Sequence, residues 1–103
     1  MPSRLDQLET LHAADPDDAD VPYMIGLEHA KADDPQEAVH WLDRCLALAP
    51  SYHYAYFQKA KMLSELGEDD DALAALDAGI TRAAADGAAK ALGELQELRL
   101  AMA

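Results

Sequence analysis

Residues 38–50 read AVHWLDRCLALAP, and residues 72–84 read ALAALDAGITRAA. Laid over one another at an offset of 34 residues, Ala38 falls on Ala72, Leu42 on Leu76 and Leu46 on Ile80. The register extends outward: Gly26 falls on Ala60, and Pro16 and Pro50 stand the same distance apart. A fixed period of this length marks a repeated helical unit, which buries its apolar side only by stacking on its neighbours. No segment alternates apolar and polar residues as a strand would. The chain is therefore read as all-α.

Start and stop signals divide it into six helices. Ser3 is predicted to cap a helix from Arg4 to about Ala14, with Leu5, Leu8 and Leu11 on one side, and Asp15-Pro16 ends it. Asp20 is predicted to cap a second helix to about Ala32, with Pro22 tolerated in the first turn. Asp34-Pro35-Gln36-Glu37 opens a third with a cap, a proline at the first position and an acid at the third. That helix stops before Pro50. Ser51 is expected to cap the fourth, which ends at a left-handed Gly67. Asp69 opens the fifth, to about Ala84. Asp86-Gly87 interrupts, and a sixth runs from about Ala88 to Ala101. Small residues at the crossings, Gly26 and Ala60 against Ala38 and Ala72, are expected to bring each helix pair close. Trp41, Leu42, Cys45 and Leu46 make the apolar stripe of the third helix, as Leu73, Leu76 and Ile80 make that of the fifth.

These residues resemble the tetratricopeptide repeat family. Its pattern places a bulky residue, Leu-Gly and an aromatic on a first helix, then Ala, an apolar residue four later and a closing Pro on a second. The slots hold Pro22, Ile25-Gly26, His29, Ala38, Leu42 and Pro50 in one repeat, and Tyr56, Lys59-Ala60, Leu63, Ala72, Leu76 and Ala84 in the next. Pro22, His29, Lys59 and Ala84 depart from the pattern. The resemblance implies a right-handed stack of antiparallel helix pairs in a single domain, 1–103. Its parts are a lead helix (1–16), two full repeats (19–52 and 53–86) and a capping helix (87–103).

Composition narrows the function. The net charge is −12, from 20 acidic and 8 basic residues. Nucleic acid is an unsuited partner, since binding it rests on basic patches that release counterions. An anionic membrane surface is disfavoured for the same reason. Two readings account for the acid: a solvated, salt-adapted surface, which is favoured, and recognition of a basic partner. No run approaches the roughly 18 apolar residues of a membrane span. The polar start, MPSRLDQLET, lacks a signal-peptide apolar region. With a single cysteine, Cys45, a cytoplasmic protein is the simplest expectation.

No motif calls for catalysis or a cofactor. His12, His29, His40 and His53 lack the convergent spacing of metal ligands. Cys45 lies on a buried stripe, away from an activating base. There is no nucleophile elbow and no Gly-rich phosphate loop. The protein is expected to be no enzyme and to hold no cofactor.

The aromatic run Tyr52-His53-Tyr54-Ala55-Tyr56-Phe57 is the stronger signal. Helical spacing lays Tyr54, Phe57, Lys61 and Ser64 along one side, and Tyr23 and Leu27 hold the equivalent row one repeat earlier. First helices line the concave face in the resembled family. The resemblance thus implies a partner-binding groove of Tyr23, Leu27, Tyr54, Phe57 and Lys61. The other reading packs these aromatics against neighbouring helices. Tyr23 and Leu27 stand where a carboxylate-clamping subgroup carries Lys and Asn, and Gln58 replaces another Asn, so that clamp is not expected. The function implied is binding of a peptide or partner protein. The alternative is self-association, a homodimer included, through the same helical faces.

Overall fold

The computed structural model describes residues 2–103; Met1, part of the expected lead segment, lies outside the described residues. Among the described residues six α-helices follow one another: α1 (Arg4–Ala14), α2 (Asp20–Lys31), α3 (Pro35–Leu48), α4 (His53–Glu65), α5 (Asp69–Asp86) and α6 (Ala89–Met102). Among the described residues there is no strand.

Local chemistry explains most of the ends. Ser3 and Asp6 form a reciprocal capping box at α1. Asp34 accepts from the Glu37 amide, with Pro35 at the first position of α3. α4 ends as expected: Gly67 takes φ 76°, and the Glu68 amide reaches back to the Leu63 carbonyl at 2.9 Å. α5 ends in the same way: its last residue is Asp86, two residues beyond the predicted Ala84, and Gly87 follows at φ 69°. Asp33, 34 residues before Gly67, adopts φ 56° and closes α2 by the same kind of bond, Asp34 amide to His29 carbonyl at 3.0 Å.

Two predicted caps are not caps. Asp20 is the first residue of α2, and Asp18 accepts from its amide at 3.0 Å. Asp20 itself accepts from the Tyr52 hydroxyl of another repeat. Ser51 lies outside α4, and its hydroxyl accepts from Arg82 of α5 at 2.8 Å. In both cases a donor from another repeat or helix, Tyr52 just before α4 or Arg82 of α5, occupies the oxygen that local spacing assigned to a cap.

Each helix packs on its neighbour in sequence, and α4 also touches α2 and α6. Thus α2, α4 and α6 form one layer and α1, α3 and α5 the other. Among the described residues only the first layer has helices whose backbones come close to one another, so the stack curves with that layer inside. Where α3 and α5 splay apart, a groove of about 410 Å³ opens on the outer side over Tyr56, Lys59 and Leu63 of α4.

The core runs through the stack in three clusters. Leu8, Val21 and Ile25 join α1 to α2, with Trp41 of α3 packed against them. Ala38, Leu42, Cys45, Ala55 and Met62 join α3 to α4. Ala60, Leu63, Ala72, Ala75, Leu76, Ala83 and Leu95 join α4, α5 and α6. Burying a leucine such as Leu42 or Leu76 contributes roughly 1.5–3 kcal/mol. The predicted close crossing is present at Gly26, where a Cβ would stand 3.1 Å from Leu42 Cγ and 3.3 Å from the Ala38 carbonyl oxygen. Ala60 and Ala72 meet in the same cluster at the next pair. Of the expected α3 stripe, Leu42 and Cys45 are fully buried, whereas Trp41 and Leu46 are half-buried.

Candidate functional site

The inner layer carries the candidate residues. Val21, Pro22, Ile25 and Gly26 of α2 are buried against the outer helices, as are Ala55, Ala60, Met62 and Leu63 of α4. Helical geometry then turns Tyr23 and Leu27 of α2, and Tyr54, Phe57, Gln58 and Lys61 of α4, away from those buried faces.

These residues are not equally free. Tyr54 is 36% exposed. Lys61 is exposed, and its Nζ stands 5.8 Å from the centre of the Phe57 ring, within cation–π range. Phe57 is half-buried, with one side on the cluster shared by α4, α5 and α6. Tyr23 and Leu27 are also half-buried. Tyr23 stacks on Tyr52 with ring centres 4.8 Å apart. Burial raises the Tyr23 pKa, and a hydrogen bond with Gln58 pulls it back. Tyr23 therefore serves packing as much as exposure. The other lysine of α4, Lys59, points to the outer side and pairs with Asp43 at 2.7 Å.

Sequence reading missed Tyr52. It precedes α4, and its hydroxyl donates to Asp20 at 2.8 Å across the two repeats. Burial and that carboxylate push its pKa far up. A second polar cluster lies at the α4–α5 junction: His53 Nε2 meets Asp86 Oδ2 at 2.8 Å, Arg82 lies 3.5 Å from the same oxygen, and Arg82 bonds Ser51. The His53 bond, with help from Ser51 and Arg82, holds the Asp86 carboxyl below its ordinary pKa. Sequence separations of 31 to 33 residues give no local signal for Tyr52–Asp20, His53–Asp86 or Arg82–Ser51, whereas Arg82 and Asp86 are an i,i+4 pair on α5.

Cys45 is fully buried, and burial with nearby Asp20 pushes its thiol up to about 12. Such a thiol is not poised as a thiolate nucleophile. Among the described residues no group of three or more His, Cys, Asp or Glu side chains is arranged to hold a metal. Among the same residues no helix is long and apolar enough to cross a membrane.

Comparison with known proteins agrees with this architecture. A tetratricopeptide repeat family model matches residues 19–52. No curated protein matches the sequence. The solution structure of a tetratricopeptide repeat domain protein from Salinibacter ruber is 31% identical, with a TM-score of 0.78 over 85% of this chain and 89% of that one. A solution structure of a Bordetella parapertussis protein is 24% identical, with a TM-score of 0.84 over 99% of this chain and 89% of that one. The TPR2B domain of yeast Sti1, in a complex with pHsp70, is 22% identical, with a TM-score of 0.88 over 95% and 78%. The last two likenesses are of fold alone. The period of 34 residues, the paired helices and the 31% identical relative lead to one conclusion: the chain belongs to the tetratricopeptide repeat family.

Proposed function

We propose that the chain is a non-catalytic protein-interaction module whose inner layer takes a peptide or a segment of a partner protein. The observation that carries this reading is the α4 row, where exposed Tyr54 and Lys61 flank the half-buried Phe57 ring on the concave side. Tyr23 and Leu27 extend that row onto α2. Aromatic residues in a polar rim are the usual anchors of an interface, each commonly contributing about 2 kcal/mol or more. The fold-similar Sti1 domain is itself in a complex with pHsp70. Tyr23 and Leu27 in place of clamp residues favour a ligand held by apolar side chains over one held by a terminal carboxylate. The −12 charge makes protein a better partner than nucleic acid or an anionic membrane.

The test is a peptide-display selection on the immobilised chain, followed by titration of the selected peptides against the native protein and Phe57→Ala. The variant is expected to bind at least about tenfold more weakly, a loss of about 1.4 kcal/mol. Its far-ultraviolet circular dichroism is expected to stay native. Equal affinity for both proteins would move the site off this face. Loss of helical signal would assign Phe57 to the core.

A further inference from the structure

We propose that the groove on the outer side of α4 is a second docking site, taking an aromatic side chain with a basic residue beside it from a partner protein. Its floor is Tyr56, Lys59 and Leu63 of α4, and Ala74, Ala75 and Ala78 form its α5 side. α3 bounds it opposite, through Val39 and Asp43. It lies across α4 from the inner row of Tyr54, Phe57 and Lys61, and is a different surface from the one proposed above.

The 34-residue register points to the occupant. One repeat earlier, the counterparts of Ala74, Ala75 and Ala78 are His40, Trp41 and Arg44. The corresponding gap there lies between α1 and α3, over α2, and the chain fills it from within. Trp41 packs on the cluster of Leu8, Val21 and Ile25. His12 meets its ring edge-on with centres 5.2 Å apart, and the Arg44 guanidinium lies 4.5 Å from the ring centre. Between α3 and α5 the three alanines instead leave about 410 Å³ open. Both the ring and its cation are missing from this gap. Its walls are held in place: the Tyr56 hydroxyl donates to the Pro50 carbonyl at 2.8 Å, and Lys59 pairs with Asp43 at 2.7 Å. A fixed floor lowers the ordering cost of binding.

The charge of the gap selects the rest of the ligand. Asp43 and Asp71 flank the groove, and their counterparts one repeat earlier are Glu9 and Glu37, so the acid is kept in both gaps. Lys59 neutralises Asp43. Asp71 is exposed and has no ion-pair partner among the described residues, and Asp69 and Asp70 share its turn. A cation beside the docked ring meets Asp71 and takes the place that Arg44 holds over Trp41. An acidic segment is repelled there, the more so by a chain of net charge −12. An aromatic side chain supplies the large apolar area that three alanines leave uncovered.

Backbone amide chemical shifts of the labelled full chain, titrated at low salt with the end-blocked dipeptide Trp-Arg, test this. Saturable shifts are expected at Lys59, Ala74, Ala75 and Ala78. Blocked Ala-Arg is expected to bind at least about tenfold more weakly, and blocked Trp-Glu at least about threefold. Asp71→Lys is expected to weaken Trp-Arg binding at least about threefold, and Asp70→Lys, the same charge change off the groove, by less than about twofold. Ala75→Trp fills this gap as Trp41 fills the other, and is expected to abolish the shifts. Should that variant disturb the fold, the contrast between the two lysine variants decides alone. Shifts that never saturate, that fall instead on Tyr23, Tyr54 and Lys61, or that weaken equally in Asp71→Lys and Asp70→Lys overturn the proposal. So do groove shifts that grow with the concentration of the chain alone, which would seat a second copy there. Failure of the inner-layer reading in Phe57→Ala leaves these outcomes unchanged, so the two readings fail separately.

Discussion

The Tyr52 hydroxyl donates to Asp20 Oδ1 at 2.8 Å, tying the start of α4 to the start of α2. The same ring stacks on Tyr23 of α2. A side chain just outside one helix thus fixes the spacing of the two helices that carry most of the proposed groove. Tyr52→Phe keeps the ring and removes the bond. The expected cost is about 1 kcal/mol, because Asp20 is exposed and water replaces part of what is lost. Urea unfolding measures it, and a midpoint equal to the native one would show the bond to be energetically idle.

The Asp86 carboxyl is held below its ordinary pKa chiefly by the His53 bond. A carboxyl with a depressed folded pKa stabilises the fold above its unfolded value, near pH 4, and loses that contribution as pH falls through the folded value. Protonation of the other acids relieves the −12 repulsion over a similar range, so the native curve alone is ambiguous. The comparison with Asp86→Asn isolates the term. The native chain is expected to be the more stable near pH 7, with the gap closing below about pH 4. A gap constant from pH 7 to pH 3 would refute the assignment.

Salt supplies a further check. Twenty acidic residues against eight basic ones repel one another in the compact state, and ions screen that repulsion. Melting temperature is expected to rise from low salt toward about 1 M, measured at protein concentrations low enough to keep the chain monomeric. A flat or falling curve would remove the salt-adapted reading of the surface and leave a basic partner as the better account of the acid.

Much of this fold was legible because its determinants are local or periodic. Ser3, Asp34, Gly67 and Gly87 act on amides and carbonyls within one turn, and the 34-residue register of Gly26, Ala38, Ala60 and Ala72 needs only the sequence. What escaped is what depends on how the repeats sit together. Asp20 and Ser51 read as caps because the donors that claim them, Tyr52 and Arg82, lie more than 30 residues away in sequence. Trp41 fits the α3 stripe by spacing, yet it turns to α1, where it meets His12 edge-on at 5.2 Å and carries Arg44 at 4.5 Å over its ring. Helical spacing alone aligns Tyr54, Phe57 and Lys61 along one side of α4. How far Tyr23 is spent on stacking with Tyr52 could not be read from either residue alone.

Two glycines in helices test the packing with one substitution of opposite outcome. At Gly79 in α5 a Cβ would stand 2.7 Å from Tyr56 Cβ and 3.0 Å from its Cγ. Tyr56 cannot easily yield: its Cβ is fixed to the α4 backbone, and its hydroxyl donates to the Pro50 carbonyl at 2.8 Å. The α4 and α5 helices must separate instead, and overpacking of this kind costs about 1–3 kcal/mol. Replacing glycine by alanine in a helix recovers about 1 kcal/mol of propensity. Gly79→Ala is therefore expected to destabilise by up to about 2 kcal/mol. At Gly93 in α6 the same Cβ meets nothing within 4 Å. Only the propensity term acts there, so Gly93→Ala is expected to stabilise by up to about 1 kcal/mol. Urea midpoints that move in opposite directions would support the close α4–α5 crossing. A rise in both would mean that the crossing has room for a methyl group and that the small residue at 79 is not what sets the helix separation.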